Sequence, residues 1–114
     1  MELPENCSRL RIYVGEGDIF EHRPLYEALV LKAREAGLAG ATVFRSPMGF
    51  GANSRIHTSK ILNLSTDLPV VVEMVDAPDK ITAFVEKLDG LIAGGMVTLE
   101  DVRVLHYHHG QTVE

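Results

Sequence analysis

The order in which hydrophobic patterns follow one another most constrains the fold of this 114-residue chain. Period-two alternation predicts a strand, and apolar residues three and four apart predict an amphipathic helix. The patterns run strand, helix, strand and again strand, helix, strand, over residues 9–14, 24–36, 40–46, 68–76, 78–92 and 96–108. This order is typical of the α+β ferredoxin-like βαββαβ arrangement, in which a four-stranded antiparallel sheet carries two helices on one face.

The third predicted strand, "LPVVVEMVD" at 68–76, has apolar residues on both faces, which indicates that both faces are covered. Helices on one side of the sheet leave the other side bare. Val71, Val75 and Phe44 would then meet water. Association of several chains through this open side would cover them, so the sequence predicts an oligomer.

Composition indicates one globular domain over residues 1–114, and we expect flexible ends at 1–8 and 109–114. Cys7 is the one cysteine in the sequence, which excludes an internal disulfide and fits a reducing cytoplasm. The N-terminal sequence does not resemble a signal peptide, and no stretch approaches the ~20 apolar residues of a membrane-spanning helix. We therefore expect a cytoplasmic protein that does not insert into membranes.

The charge distribution is uneven. The formal net charge is −5, which argues against nucleic acid as the main partner. Between Glu35 and Asp67 there is no acidic residue, and this gap contains Arg45, Arg55, His57 and Lys60. The gap predicts a local positive patch that either binds an anion or only keeps a loop solvated.

Residues 46–66, which lie inside this gap, show no clear periodicity. A loop of this length in a compact domain is usually functional or disordered. Gly49 and Gly51, on either side of Phe50, permit positive φ and let backbone N–H groups converge on an anion. Glycine pairs are also common in ordinary turns, so this signal is weak by itself.

The chain resembles the PII-like superfamily of trimeric signalling proteins, which includes the nitrogen-regulatory PII proteins, over about residues 9–107. These proteins have the same βαββαβ order and a long T-loop between the second and third strands. "GFGANSRIHTS" at 49–59 is similar to the base of that loop, and "AGGMVTLEDVRV" at 93–104 is similar to the glycine turn and strand after the second helix. The sequence is most similar to a PII-like branch of unknown function.

The resemblance implies a nucleotide in the cleft between neighbouring subunits. Backbone at Gly49, Phe50 and Gly51 would contact it, and the turn at Gly94 and Gly95 would wrap its phosphates.

The cations of the family pattern are missing from this chain. Met96 stands where PII proteins have a lysine, and Val104 and His106 stand where they have arginines. Without these charge-assisted hydrogen bonds, AMP or ADP is a better candidate than ATP. Arg45, Arg55 and His57 are the cations that we expect to hold the anion.

Our leading hypothesis is a homotrimeric PII-like regulatory protein that is not an enzyme. A small anionic effector, such as an adenine nucleotide, would bind in the intersubunit cleft. The 46–66 loop would then control an unidentified target protein, which could be a transporter, a channel or an enzyme.

Three alternatives remain open from the sequence. His106 and His108 are spaced to bind a metal, which would make the protein a metal-responsive trimer. The 46–66 loop could instead be purely a protein-docking module. An acylphosphatase of the same fold is disfavoured, because Arg23 is the single candidate for a phosphate-binding arginine between the first strand and the first helix.

Overall fold

The computed structural model describes residues 2–50, 68–92 and 94–108. In chain order its elements are β1 (Asn6–Gly15), β2 (Ile19–Phe20), β3 (Arg23–Pro24), α1 (Leu25–Glu35), β4 (Thr42–Arg45), β5 (Pro69–Asp76), α2 (Pro78–Lys87) and β6 (Met96–Arg103). The main sheet has the order β4-β5-β1-β6, and all of its pairs are antiparallel. The predicted α+β ferredoxin-like fold is confirmed, with β1 and β5 at the centre of the sheet.

The core lies between the sheet and the two helices. Alternate residues of the central strands point toward the helices and are buried there, where each large apolar side chain contributes about 1.5–3 kcal/mol. These residues are Leu10, Ile12 and Val14 from β1 and Val70, Val72 and Met74 from β5. The helices supply Leu25, Leu29, Ala33, Ile81 and Phe84.

Several element bounds differ from the predicted ones. β1 begins at Asn6, so residues 6–8, which the sequence assigned to a flexible end, pair with β6 instead. Cys7 and Ser8 are buried in this extension. α2 ends at Lys87, and β6 ends at Arg103 rather than continuing to residue 108.

A short hairpin lies in the segment that the sequence interpretation treated as a plain connection. β2 and β3 pair across a turn whose central residues, Glu21 and His22, have φ of 50° and 69°. Left-handed backbone at two successive non-glycine residues is uncommon. The usual Asn-Gly signal of such a turn is absent here, which explains why the sequence did not reveal it.

The side of the sheet opposite the helices is called the open face here, and it mixes apolar and charged residues. Phe44 is 49% exposed on it, and Val71 and Val75 are half-buried, as predicted. Two ion pairs join directly opposed residues, with Arg9 Nε 2.9 Å from Glu100 Oε1 and Arg11 Nε 2.7 Å from Glu73 Oε1. The hydrogen bond from Arg9 lowers the pKa of the Glu100 carboxyl, and the bond to Glu73 raises the pKa of Arg11.

A buried carboxylate joins the α1–β4 connection to the start of α2. Asp76 is 1% exposed, and its Oδ2 accepts a 2.8 Å hydrogen bond from the Ala39 N–H. Its Oδ1 accepts a 2.7 Å bond from the Ala77 N–H, and Lys80 Nζ lies 3.7 Å from Oδ2. Lys80 also donates to the Gly37 carbonyl, so one cluster fixes both segments.

Substituting Asp76 with Ala should lower the free energy of unfolding by about 2–4 kcal/mol, because two backbone donors lose their acceptor. Asp79→Ala, which removes an exposed carboxylate from the first turn of α2, is the matched control and should lower the free energy of unfolding by less than about 1 kcal/mol. Urea unfolding at equal protein concentration measures both. Equal midpoints for the two variants would contradict the role assigned to Asp76.

Candidate functional site

The candidate site lies at one end of the sheet, called the loop end here, where β1 and β4 finish and β5 and β6 begin. Backbone hydrogen bonds hold its strands together. The Glu16 N–H donates to the Leu68 carbonyl at 2.8 Å, and the Ser46 N–H donates to the Pro69 carbonyl at 3.2 Å. The Ser46 hydroxyl donates to the same carbonyl. The residues that enter and leave the predicted 46–66 loop are therefore neighbours.

Arg45, a predicted anion-binding cation, already has a partner at the loop end. Its guanidinium forms an ion pair with the carboxylate of Glu16. The Arg45 side chain is 63% exposed, and the Glu16 side chain is 22% exposed. The positive patch predicted from the 35–67 gap therefore contains a carboxylate that the end of β1 supplies.

The GFG segment is described only in part. Gly49 has φ of 152°, and a Cβ at this position would lie 3.3 Å from Pro69 Cγ. A side chain would therefore be tight where the chain passes the start of β5. Phe50 follows with 66% of its surface exposed. Gly51, Arg55 and His57, which were also predicted to bind the ligand, lie outside the described residues.

The second predicted glycine site has a packing constraint of its own. Gly95 has φ of 98°, and a Cβ there would lie 2.1 Å from the Tyr13 carbonyl oxygen. Any side chain would therefore push β6 away from β1 where β6 enters the sheet. The sequence interpretation gave Gly95 only a ligand role, because the strand that it approaches is about eighty residues away along the chain.

An apolar groove of about 580 Å³ adjoins the glycine turn, between the end of α2 and the start of β6. Its apolar walls include Val85, Leu88, Ile92 and Val97, and Gly94 and Gly95 lie at its edge together with the acidic residues Glu86 and Asp89. Val97 is 44% exposed because α2 packs on β1 and β5 and leaves the edge strand uncovered. The groove thus offers an apolar wall beside glycine backbone.

The two predicted parts of the site lie on opposite edges of the sheet. Arg45 ends the edge strand β4, whereas Gly94 and Gly95 precede the other edge strand, β6, with β5 and β1 between them. Three strand spacings separate these edge strands, about 14 Å. Gly49 lies beside Pro69 at the start of β5. A single chain therefore brings Arg45 and the glycine turn to the same end of the sheet but leaves the width of the sheet between them.

The positions that hold cations in the family pattern have other surroundings here. Met96 is 52% exposed at the start of β6, and the Val104 N–H donates to the Glu5 carbonyl at 2.7 Å. Arg103, which precedes Val104, places its Nε 2.9 Å from Glu5 Oε2. Arg103 therefore lies at the opposite end of β6 from the glycine turn and does not replace the missing lysine.

The C-terminal histidines contact each other. The rings of His106 and His108 lie edge to face with centroids 4.3 Å apart. Across residues 2–50, 68–92 and 94–108, no group of three or more His, Cys, Asp or Glu side chains is arranged to hold a metal ion.

The cysteine is also unsuited to ligand chemistry. Burial raises the pKa of the Cys7 thiol, the charge of Asp76 raises it further, and the thiol donates to the Pro4 carbonyl.

Within the part of the chain that the structure describes, no helix is long and apolar enough to cross a membrane.

Comparison with known proteins identifies the family. The model of the DUF190 family, described as "Uncharacterized ACR", matches residues 7–104. The chain belongs to the DUF190 family. A UPF0166 protein from Aquifex aeolicus is 44% identical over 97 residues, which cover 85% of this chain and 91% of that protein. The UPF0166 protein MJ1524 from Methanocaldococcus jannaschii is 33% identical over a stretch that covers 92% of this chain and 94% of that protein.

Solved structures confirm the PII-like fold that the sequence resemblance implied. Apo CPII from Thiomonas intermedia K12, a nitrogen regulatory PII-like protein, matches with a TM-score of 0.60 at 16% identity and covers 87% of this chain and 91% of its own. CPII bound to ADP, AMP and bicarbonate gives a TM-score of 0.63 at 16% identity, with coverages of 87% and 88%. A putative PII-like signalling protein from Thermus thermophilus gives 0.61 at 15% identity, with coverages of 91% and 93%.

Gly95→Ala should lower the free energy of unfolding by about 2–4 kcal/mol, since it adds both left-handed strain and a clash with the Tyr13 carbonyl. Gly90→Ala is the matched control, because Gly90 has φ of 81° but no atom within 4 Å of the place that a Cβ would take. Gly90→Ala should lower the free energy of unfolding by about 1 kcal/mol. Chemical denaturation of the two variants checks the difference, and equal losses would mean that the close approach to Tyr13 is unimportant.

Proposed function

We propose that this protein is a PII-like regulatory protein that binds an adenine nucleotide, AMP or ADP in preference to ATP, in the clefts of a homotrimer. The observation that carries the proposal is the apolar groove beside Gly94 and Gly95. A flat nucleobase suits apolar walls, and bare backbone N–H groups suit a phosphate. That CPII, a protein of the same fold, is described as bound to ADP and AMP supports this choice of ligand.

The charges near the groove favour a ligand with few phosphates. Glu86 and Asp89 line it, and the neutral Met96 replaces the lysine of the PII pattern. Like charges repel, and the repulsion grows with the charge of the ligand. A triphosphate would meet these carboxylates without the cations that bind it in PII proteins.

The positions of the two glycine sites favour a ligand that is shared between subunits. Arg45 ends one edge strand of the sheet and Gly95 precedes the other, and these strands are about 14 Å apart by strand spacing. In a cleft between two copies of the chain this separation is no obstacle, because each copy supplies only one part of the site.

Control of a target protein is proposed to act through the 46–66 loop. Met48 and Phe50, at its described start, are 74% and 66% exposed. Large exposed apolar side chains at a loop base suit contact with another protein. A nucleotide that binds one loop arrangement better than another would shift its population, which is the action of a regulator and requires no catalysis. We propose that this occurs in the cytoplasm.

Calorimetric titration with AMP, ADP and ATP tests the proposed ligand. We expect micromolar binding of AMP or ADP and weaker binding of ATP. Arg45→Met should weaken ADP binding by about fivefold to tenfold, because an exposed charge-assisted hydrogen bond is lost. Arg103→Met is the matched control, since Arg103 also pairs with a glutamate but lies at the far end of β6.

Arg55→Ala should weaken binding as well, if the loop closes over the ligand. Absence of binding by every nucleotide would contradict the proposed ligand and favour the alternative of a pure protein-docking module.

Assembly through the open face is tested with Phe44→Glu. The wild type should have about three times the 12.5 kDa mass of one chain in analytical ultracentrifugation. A buried, unpaired carboxylate in the interface should shift the protein toward monomer. Leu31→Glu is the control, because Leu31 is 40% exposed on α1, away from the open face. A monomeric wild type, or equal masses for the two variants, would contradict this interface.

A further inference from the structure

The ion pair between Glu16 and Arg45 differs from the other ion pairs of the sheet. Arg9 and Glu100, like Arg11 and Glu73, are directly opposed on adjacent strands of the open face. Glu16 and Arg45 instead come from strands that are not neighbours, because β5 lies between β1 and β4. Their side chains meet across the start of β5, at the loop end.

The backbone on the Glu16 side of this pair is well supported. The Glu16 N–H donates to Leu68, and the turn that follows is closed by Asp18. Asp18 accepts a 2.9 Å bond from the Gly15 N–H through its carboxylate, and its own carbonyl accepts a 2.7 Å bond from the Leu25 N–H at the start of α1. The carboxylate of Glu16 is therefore presented from a fixed turn.

The backbone on the Arg45 side is fixed as well. Arg45 is the last residue of β4 and pairs with Val70 of β5. Val70 in turn pairs with Val14 of β1. Ser46, the next residue, is tied to the Pro69 carbonyl by its N–H and its hydroxyl. The backbone is therefore fixed on both sides of the pair, which keeps the two side chains within reach of each other.

We propose that Glu16 is a specificity-determining residue that holds Arg45 in the free protein and thereby limits how strongly the site attracts highly charged anions. This inference rests on the proposed nucleotide binding. A phosphate that approaches Arg45 competes with the Glu16 carboxylate for the guanidinium. That carboxylate then remains nearby and repels the ligand, more strongly for each added phosphate.

Glu16→Gln keeps the size of the side chain and removes its charge, so it should release Arg45 for the ligand. We expect ADP to bind about threefold to tenfold more tightly than in the wild type, given the modest strength of partly exposed ion pairs. AMP should gain less than ADP. In the Arg45→Met background the gain should be clearly smaller, because Glu16→Gln then relieves only the repulsion between the carboxylate and the ligand and releases no cation.

Glu5→Gln is the matched control. It removes the same charge from the ion pair between Glu5 and Arg103, which lies at the end of β6 farthest from the loop end. Its ADP affinity should equal that of the wild type. Thermal unfolding of each variant checks that folding is intact. An unchanged or weaker ADP affinity in Glu16→Gln would overturn the proposal, as would a gain that is equally large in the Arg45→Met background.

Pyrophosphate, titrated in the same calorimeter, separates this inference from the proposed function. If neither the wild type nor Glu16→Gln binds AMP or ADP, nucleotide binding is wrong. The comparison of pyrophosphate binding by the wild type and by Glu16→Gln then decides the role of Glu16. Tighter pyrophosphate binding by Glu16→Gln than by the wild type supports the release of Arg45, and equal or absent binding overturns it.

Discussion

The register of β1 between its two neighbours is the constraint on which the rest of the structure depends. β1 pairs with β5 on one side and with β6 on the other, over eight residue pairs each. From residue 9 to residue 14 alternate residues then separate, with Leu10 and Ile12 in the core and Arg9 and Arg11 on the open face. A slip of one residue would place arginines under the helices, so the polarity of β1 fixes the sheet.

This register also assembles the candidate site. Because β1 ends where β5 begins, Glu16 lies beside the start of β5 and meets Arg45 across it. On its other side β1 receives β6 so closely that Gly95 has no room for a side chain. The loop end is thus built around one central strand, with Glu16 at one side and the carboxylates of the groove at the other. In the proposed function these carboxylates disfavour highly charged anions.

The sequence by itself determined the architecture and the polarity of its faces. Period-two and helical patterns depend only on nearby residues, so they predicted the order of the elements and the exposure of Phe44 on the open face. The resemblance in the GFG segment and in the glycine turn pointed to the family that the comparisons confirm. Both glycine sites were identified as special positions, although the packing reason for Gly95 was missed.

Only the tertiary structure decided which distant groups meet. The pairing of Glu16 with Arg45, the contact of Gly95 with Tyr13 and the hydrogen bond from the Ala39 N–H to the buried Asp76 all join segments far apart in the chain. No local periodicity encodes such contacts, because they follow from strand order and register. Strand order likewise placed Arg45 and the glycine turn at opposite edges of the sheet, a separation that depends on how the chain crosses over β5 and β1.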